Sequence, residues 1–175
     1  MAVEITTERL RLRPLEMADA PRIHEFCSEF AVARWLARVP HPYPEGDAER
    51  FIGLCLKQGA CTWAIERRVQ PGLIGIIGLD DPAEQQHLGY WLGQPYWGQG
   101  HASEAGRAVV DWAFGVAGAG GLVSGAFEGN GASLRVQEKL GFALTGRRMA
   151  PCLSLGADRP HIDTALPRAA WEARA

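Results

Sequence analysis

Residues 88–114 read LGYWLGQPYWGQGHASEAGRAVVDWAF: a short apolar strand, a glycine-rich turn and a helix in direct succession. Gly98 and Gly100 carry no Cβ, so backbone N–H groups of the turn can approach a ligand closely. Beyond the turn, Ala102, Ala105, Val109, Trp112 and Val116 recur at helical spacing, with Glu104, Arg107 and Asp111 on another face. A helix N-terminus presents unpaired N–H groups and the positive end of the helix dipole. The turn from Trp97 through Gly98, Gln99, Gly100, His101 and Ala102 to Ser103 is therefore expected to hold a phosphate.

The rest of the chain sets bounds on that expectation. At 175 residues, 47% hydrophobic and 22% charged, the sequence is that of one soluble domain spanning residues 1–175. A net charge of −2, with Lys and Arg scattered, argues against nucleic acid as a partner. The opening MAVEITTERL lacks the blocks of a signal peptide, and no apolar run approaches the roughly 18 residues that span a bilayer. The expectation is a cytoplasmic chain without a membrane partner. Cys27, Cys55, Cys61 and Cys152 form no CxxC pair and sit in apolar settings, which predicts reduced, buried thiols and no metal site.

Strand and helix periods place the remaining elements. RLRLRPL alternates around Leu10, Leu12 and Leu15 as a strand. Glu16 to Ala37 reads as helical, in one piece or two, with Ile23, Phe26, Cys27 and Phe30 as its stripe. VPHPYP excludes a helix, and Asp47 is placed to cap the next one, turning Phe51, Ile52, Leu54 and Cys55 inward. CTWAIERR and LIGIIGLD read as strands joined by a Gln70-Pro71-Gly72 turn, followed by QQHLGYWL after Asp80-Asp81-Pro82. LVSGAF, the segment from Phe142, and His161 to Leu166 supply further strands. Between them lies a helix from Asn130 to Leu140, capped by Asn130 and stopped by Gly141. The sum is an α+β domain with a mixed, mostly antiparallel sheet.

Three phosphate-binding turns compete for the glycine segment. A Walker A loop needs Gly-Lys-Ser/Thr, which the chain lacks. The dinucleotide pattern GxGxxG fails after Gly98-Gln99-Gly100 at Ser103, and again at Val123 after Gly118-Ala119-Gly120. Trp97 to Ala102 instead resembles the Q/R-x-x-G-x-G/A turn of the GNAT (general control N-acetyltransferase) superfamily, with Trp in the first position. NGASLRVQEKLGF, residues 130–142, resembles that superfamily's second acyl-CoA motif in its RimJ/RimL-like branch, N-x-x-S-x-x-x-x-E-K-x-G-F. TTERLRLRPLEMADA and LIGIIGL resemble the first strand and helix and the central strand of the same branch. The resemblance runs from about residue 5 to 147, in order.

This resemblance implies the GNAT fold, with acetyl-CoA held in a cleft between two splayed strands and attacked directly by an amine. The backbone of Gln99 to Ser103 would hold the pyrophosphate. Tyr90, Trp91 and Leu92 would run beside the pantetheine arm, with the N–H of Leu92 or Trp91 bonding the thioester oxygen. Asn130 would touch the cofactor as well as cap its helix. Ser133, otherwise a capping-turn residue, would give a proton to the departing thiolate. Many relatives carry Glu immediately before Leu-Gly-Tyr-Trp; here the position is His87, whose unperturbed pKa of about 6.5 suits a base. Asp80 and Asp81, otherwise a solvated turn, are the next candidates, and a water relay is a third route. His101 is expected on the surface. The acceptor pocket would form from Trp35 to Tyr43 and Ser154 to His161. Relatives acetylate protein N-termini, small amines and antibiotics, as monomers or dimers, so a homodimer is among the expected states. An acyl-CoA-binding module without catalysis is the alternative, and a nucleotide-dependent enzyme is disfavoured by the missing motifs.

Overall fold

The computed structural model describes residues 3–80 and 86–174; Asp81, one of the candidate bases, lies outside them. Eight strands form one sheet: β1 (Ile5–Thr6), β2 (Leu10–Pro14), β3 (Cys61–Arg67), β4 (Gln70–Asp80), β5 (Gln86–Leu92), β6 (Gly121–Phe127), β7 (Ala143–Cys152) and β8 (Ala157–Pro167). Their order is β1-β2-β3-β4-β5-β6-β8-β7. The β5–β6 pairing is parallel and the others are antiparallel, as expected for a mixed sheet.

The helices are α1 (Ala20–Ser28), α2 (Phe30–Ala33), α3 (Asp47–Gln58), α4 (His101–Gly115), α5 (Gly131–Leu140) and α6 (Arg168–Glu172). The two sheet faces have separate cores. Leu10, Leu12, Ile77 and Leu88 pack with Val109, Phe114 and Leu140 under α4 and α5. Ala64, Leu73 and Ile76 pack with Ile23, Phe26 and Ile52 under α1 and α3. Strands covered on both sides read as continuous apolar runs, which is why Trp63–Ile65 and Leu73–Ile77 show no alternation. None of the helices among the described residues is long and apolar enough to cross a membrane.

Several local expectations are corrected. The Glu16–Ala37 stretch is helical in two pieces, separated at Glu29 by extended backbone (φ −74°, ψ 118°), but they span only Ala20–Ser28 and Phe30–Ala33. Asp47 is the first residue of α3 rather than its cap; Gly46 occupies the cap in the left-handed region, at φ 79°. Phe51 and Leu54 are exposed on α3, so its inward stripe is Ala48 and Ile52. The chain reverses over Arg68 and Val69, because Arg67 pairs with Gln70; Gln70-Pro71-Gly72 begins β4 instead of making the turn. Val116 lies past the end of α4 and is exposed. The last strand begins at Ala157, and α6 follows it. Cys27 and Cys152 are buried thiols, whereas Cys55 and Cys61 are half-buried.

Candidate active site

The parallel pairing of β5 with β6 is short: Gln86 faces Leu122, His87 faces Val123, and there it stops. The Ser124 hydroxyl donates to the Leu88 carbonyl at 2.8 Å and closes that end. Beyond it the strands part. The Gly93 N–H donates to the Ile74 carbonyl, so the alternation of an antiparallel ladder turns the backbone groups of Trp91 and Gly89 toward β4. Those of Tyr90 and Leu92 face the gap. Of the two N–H groups expected beside a thioester, only that of Leu92 points there, and the Tyr90 N–H joins it.

At the open end stands the glycine turn. Gly98 and Gly100 have φ of 72° and 81°, a region costly to a side chain. With Gly100 as the cap of α4 and no side chain capping it, the N–H groups of His101, Ala102 and Ser103 have no partner within the helix. Arg9 adds a cation: its guanidinium donates to the Gln99 carbonyl at 3.0 Å and to Glu104 at 2.6 Å. His101 is not on the surface. It is 4% exposed, its Nδ1 has no hydrogen-bond partner among the described residues, and burial pushes its pKa below the usual value.

Trp97 ties this turn to the gap, because its indole N–H donates to the Leu92 carbonyl at 2.7 Å. Trp97→Phe removes that bond, worth about 1 kcal/mol, and frees the turn. Roughly fivefold faster amide exchange in the turn is expected; unchanged exchange would show that the tie does not hold the turn.

On the α5 side of the gap, the Asn130 side chain accepts from the Ser133 N–H at 3.2 Å and caps the helix as expected. The Ser133 hydroxyl lies 3.0 Å from that of Tyr90, which also donates to the Ser133 carbonyl at 3.0 Å. Gln137 donates to Ser133 Oγ at 3.3 Å and to the Gly125 carbonyl at 3.0 Å, while Thr164 donates to Gln137 at 2.7 Å. Burial raises the Tyr90 pKa and keeps its phenol protonated. The Tyr90–Ser133 pair escaped sequence reasoning; the one local signal was Gln137, four residues after Ser133 on the same helix face.

The opposite face of the gap carries imidazoles. His87 is exposed, yet its pKa is lowered, first by desolvation and further by His161, Arg38 and Arg148, against the attraction of Asp80. Asp80 is its cross-strand neighbour, exposed, with Arg38 at 3.9 Å. The segments expected to form the acceptor pocket touch where Arg159 lies over the Trp35 ring, and Arg159 also lies over Phe127. Just outside their bounds, Arg159 donates to the Arg34 carbonyl at 2.7 Å, Ser154 to that of Ala33 at 3.2 Å, and the Leu153 N–H to that of Ala37 at 3.1 Å. Tyr43 is elsewhere, packed beside His24 in the core under α1 and α3. Among the described residues no cluster of three or more His, Cys, Asp or Glu could hold a metal.

Residues 9–143 match the model of the acetyltransferase (GNAT) domain. The uncharacterized N-acetyltransferase YoaA of Bacillus subtilis (strain 168) is 30% identical over 148 residues, 81% of this chain and 84% of that protein. The ribosomal-protein-S5-alanine acetyltransferase of Vibrio fischeri shares the fold at a TM-score of 0.80 and 24% identity, over 97% of this chain and 98% of that one. So does the microcin C7 self-immunity acetyltransferase MccE, solved in complex with acetyl-CoA and AMP, at 0.78 and 15% identity, over 92% and 93%. With strands parted beside a glycine turn and a family match over most of its length, this chain belongs to the GNAT acetyltransferase family and is an N-acetyltransferase.

Proposed function

We propose that the chain moves the acetyl group of acetyl-CoA to a primary amine, a protein N-terminus or a small molecule, by direct attack in a ternary complex. The observation that carries this is the gap beyond His87 and Val123. Among the described residues it has the unpaired backbone of Tyr90 and N–H of Leu92 along one wall, N–H groups without a helical partner at its open end, hydroxyls on one face and imidazoles on the other.

These residues fit acetyl-CoA. The N–H groups from Gln99 to Ser103, with Arg9 beside them, suit a pyrophosphate. The backbone of Tyr90 and Leu92 suits the amides of a pantetheine arm and, at the inner end, the oxygen of a thioester as charge develops. Asn130 borders the same channel. Ser133 stands where a leaving sulfur would need a proton. His87 lies on the face the amine would enter, on the path of the amine's proton to solvent, with Asp80 next to it.

The lowered pKa of His87 sets a pH dependence. A base works in its neutral form, and a lowered pKa keeps it neutral further into acid. The rate, as kcat/KM for the amine, is expected to persist below about pH 6.5 and to fall only at more acidic pH. In His87→Gln that acidic limb is expected to flatten and the plateau to drop roughly tenfold, less than the usual acid–base effect because water can relay the proton. A limb unchanged in the variant would remove His87 from the proton path.

The transfer is tested by thiol release from acetyl-CoA with a panel of amines and N-terminal peptides. Amine-dependent release with formation of the acetylated amine is expected. Tight acetyl-CoA binding without release on any amine would leave a binding module and overturn the assignment.

A further inference from the structure

A second imidazole stands nearer the gap than His87, and it is better held. His161 on β8 pairs with Phe127 of β6, and Asp163 pairs with Gly125. Residues paired in register share a sheet face, and Val123 pairs in turn with His87. His87, Val123, Gly125, His161 and Asp163 therefore line one face. Along it, His87 sits at the last paired level of β5 and β6. Gly125 is two residues further on, at the first open level, where continued pairing would have set it against Gly89.

The His161 ring leans over Gly125. A Cβ on Gly125 would collide with Cε1 of His161, so the glycine makes the room that the imidazole fills. The Phe127 ring meets it edge-on, with centroids 5.4 Å apart. Nδ1 of His161 is 2.9 Å from Oδ1 of Asp163, and Asp163 is held in turn by Arg148 Nε at 3.1 and 3.0 Å. A carboxylate on Nδ1 fixes a proton there and leaves Nε2 as an acceptor. Nε2 has no protein hydrogen-bond partner among the described residues, and the side chain is 12% exposed. His87, by contrast, has no hydrogen-bond partner to fix its tautomer among them.

We infer that Nε2 of His161, oriented by Asp163, is the group that meets the acceptor amine and takes its proton; this rests on the transferase assignment above. The nitrogen lone pair forms the C–N bond to the acetyl carbon, and the nitrogen's surplus proton passes to Nε2. The C–S bond breaks with its electron pair on sulfur, which gains a proton from the Ser133–Tyr90 hydroxyl pair, and that pair regains a proton from solvent. The imidazolium then releases its proton to solvent on the side of His87. Asp163 acts as a positioning residue. The charged groups facing His161 are Asp163 and Arg148 on its own sheet edge, Arg159 beside Phe127, and His87 with Asp80 and Arg38 across the gap.

Two measurements test this. In histidine-labelled protein, NMR is expected to show the Nδ1–H tautomer at His161 and resonances that move on adding acetyl-CoA, while His24 and His41 stay in place. A His161 that is indifferent to acetyl-CoA, or protonated at Nε2, overturns the proposal whatever the activity. With any amine that supports turnover, His161→Gln is expected to lower kcat about 100-fold with an unchanged acetyl-CoA Kd. Asp163→Asn is expected to lower kcat and alter the pH profile while leaving KM near its original value. Turnover within threefold of the original in folded His161→Gln overturns the proton role. If no amine is accepted while His161 still responds to acetyl-CoA, it is the transferase assignment that fails, and the proton role falls with it.

Discussion

Arg13→Met is expected to destabilise the protein by about 3–5 kcal/mol, the cost of leaving buried charge uncompensated. Arg13 is 8% exposed, Asp19 5% and Glu66 6%, so three charges are enclosed together. The Arg13 guanidinium bonds both oxygens of Asp19, at 2.7 and 2.8 Å, and Glu66 at 2.8 Å. The hydrogen bond to Asp19, opposed by burial, holds the guanidinium above its ordinary pKa, so it never loses its charge. Asp19 also accepts the Glu16 N–H at 2.9 Å, so it fixes the entry to α1 as well as the charge. Methionine matches the stem in volume but answers neither carboxylate. Chemical denaturation should show the loss in the midpoint with little change in slope. Arg147→Met is the control. Arg147 and its partner Glu128 are both exposed and lie outside the network, and such pairs hold little energy. Equal losses in the two variants would show that the Arg13 network is no stronger than a surface pair.

Arg13 also marks where the sequence misleads. RLRLRPL alternates, and alternation assigns every arginine to solvent. Arg9 and Arg11 obey; Arg13 is enclosed because a short 3-10 turn at Met17–Asp19 follows the strand end and brings Asp19 to it. The glycine turn and α4 were legible because both are local: positive-φ glycines, a helix start and its apolar period lie within one stretch. Asn130 and Ser133 were legible for the same reason, as a cap and its recipient three residues apart. What was hidden is what distant segments do to one another. Tyr90 reaches Ser133 across 43 residues, and His161 fills the space above Gly125 only because β8 inserts between β6 and β7. No local pattern encodes that strand order. His101 is hidden for the same reason, since a histidine in a glycine turn reads as exposed until the fold encloses it beside Arg9, Arg67 and the Tyr96 backbone.

Ser133→Ala is expected to slow kcat about 100-fold with little effect on acetyl-CoA affinity, the low end of the range for acid–base groups. The low end applies because a thiol of pKa about 8.5 is already a fair leaving group; help with its proton matters less than it would for an alkoxide. In the proposed transfer, the surroundings of the hydroxyl suit that task. Gln137 donates to its oxygen, and the Tyr90 hydroxyl is 3.0 Å away, so its proton can turn from Tyr90 toward a sulfur in the gap. Tyr90→Phe keeps the ring against the α4–α5 core and removes only the phenol, with roughly a tenfold loss of kcat expected if Tyr90 orients Ser133. A raised Tyr90 pKa means no titration of this group near neutrality, so neither variant should alter the acidic limb. The double variant separates the roles. If the two hydroxyls serve one proton, its loss should match that of Ser133→Ala alone, since groups acting as a unit are not additive. Multiplied losses would mean that Tyr90 acts on the substrate independently of Ser133. A Ser133→Ala enzyme with unchanged kcat would leave Tyr90 as the donor, and Tyr90→Phe should then carry the 100-fold loss.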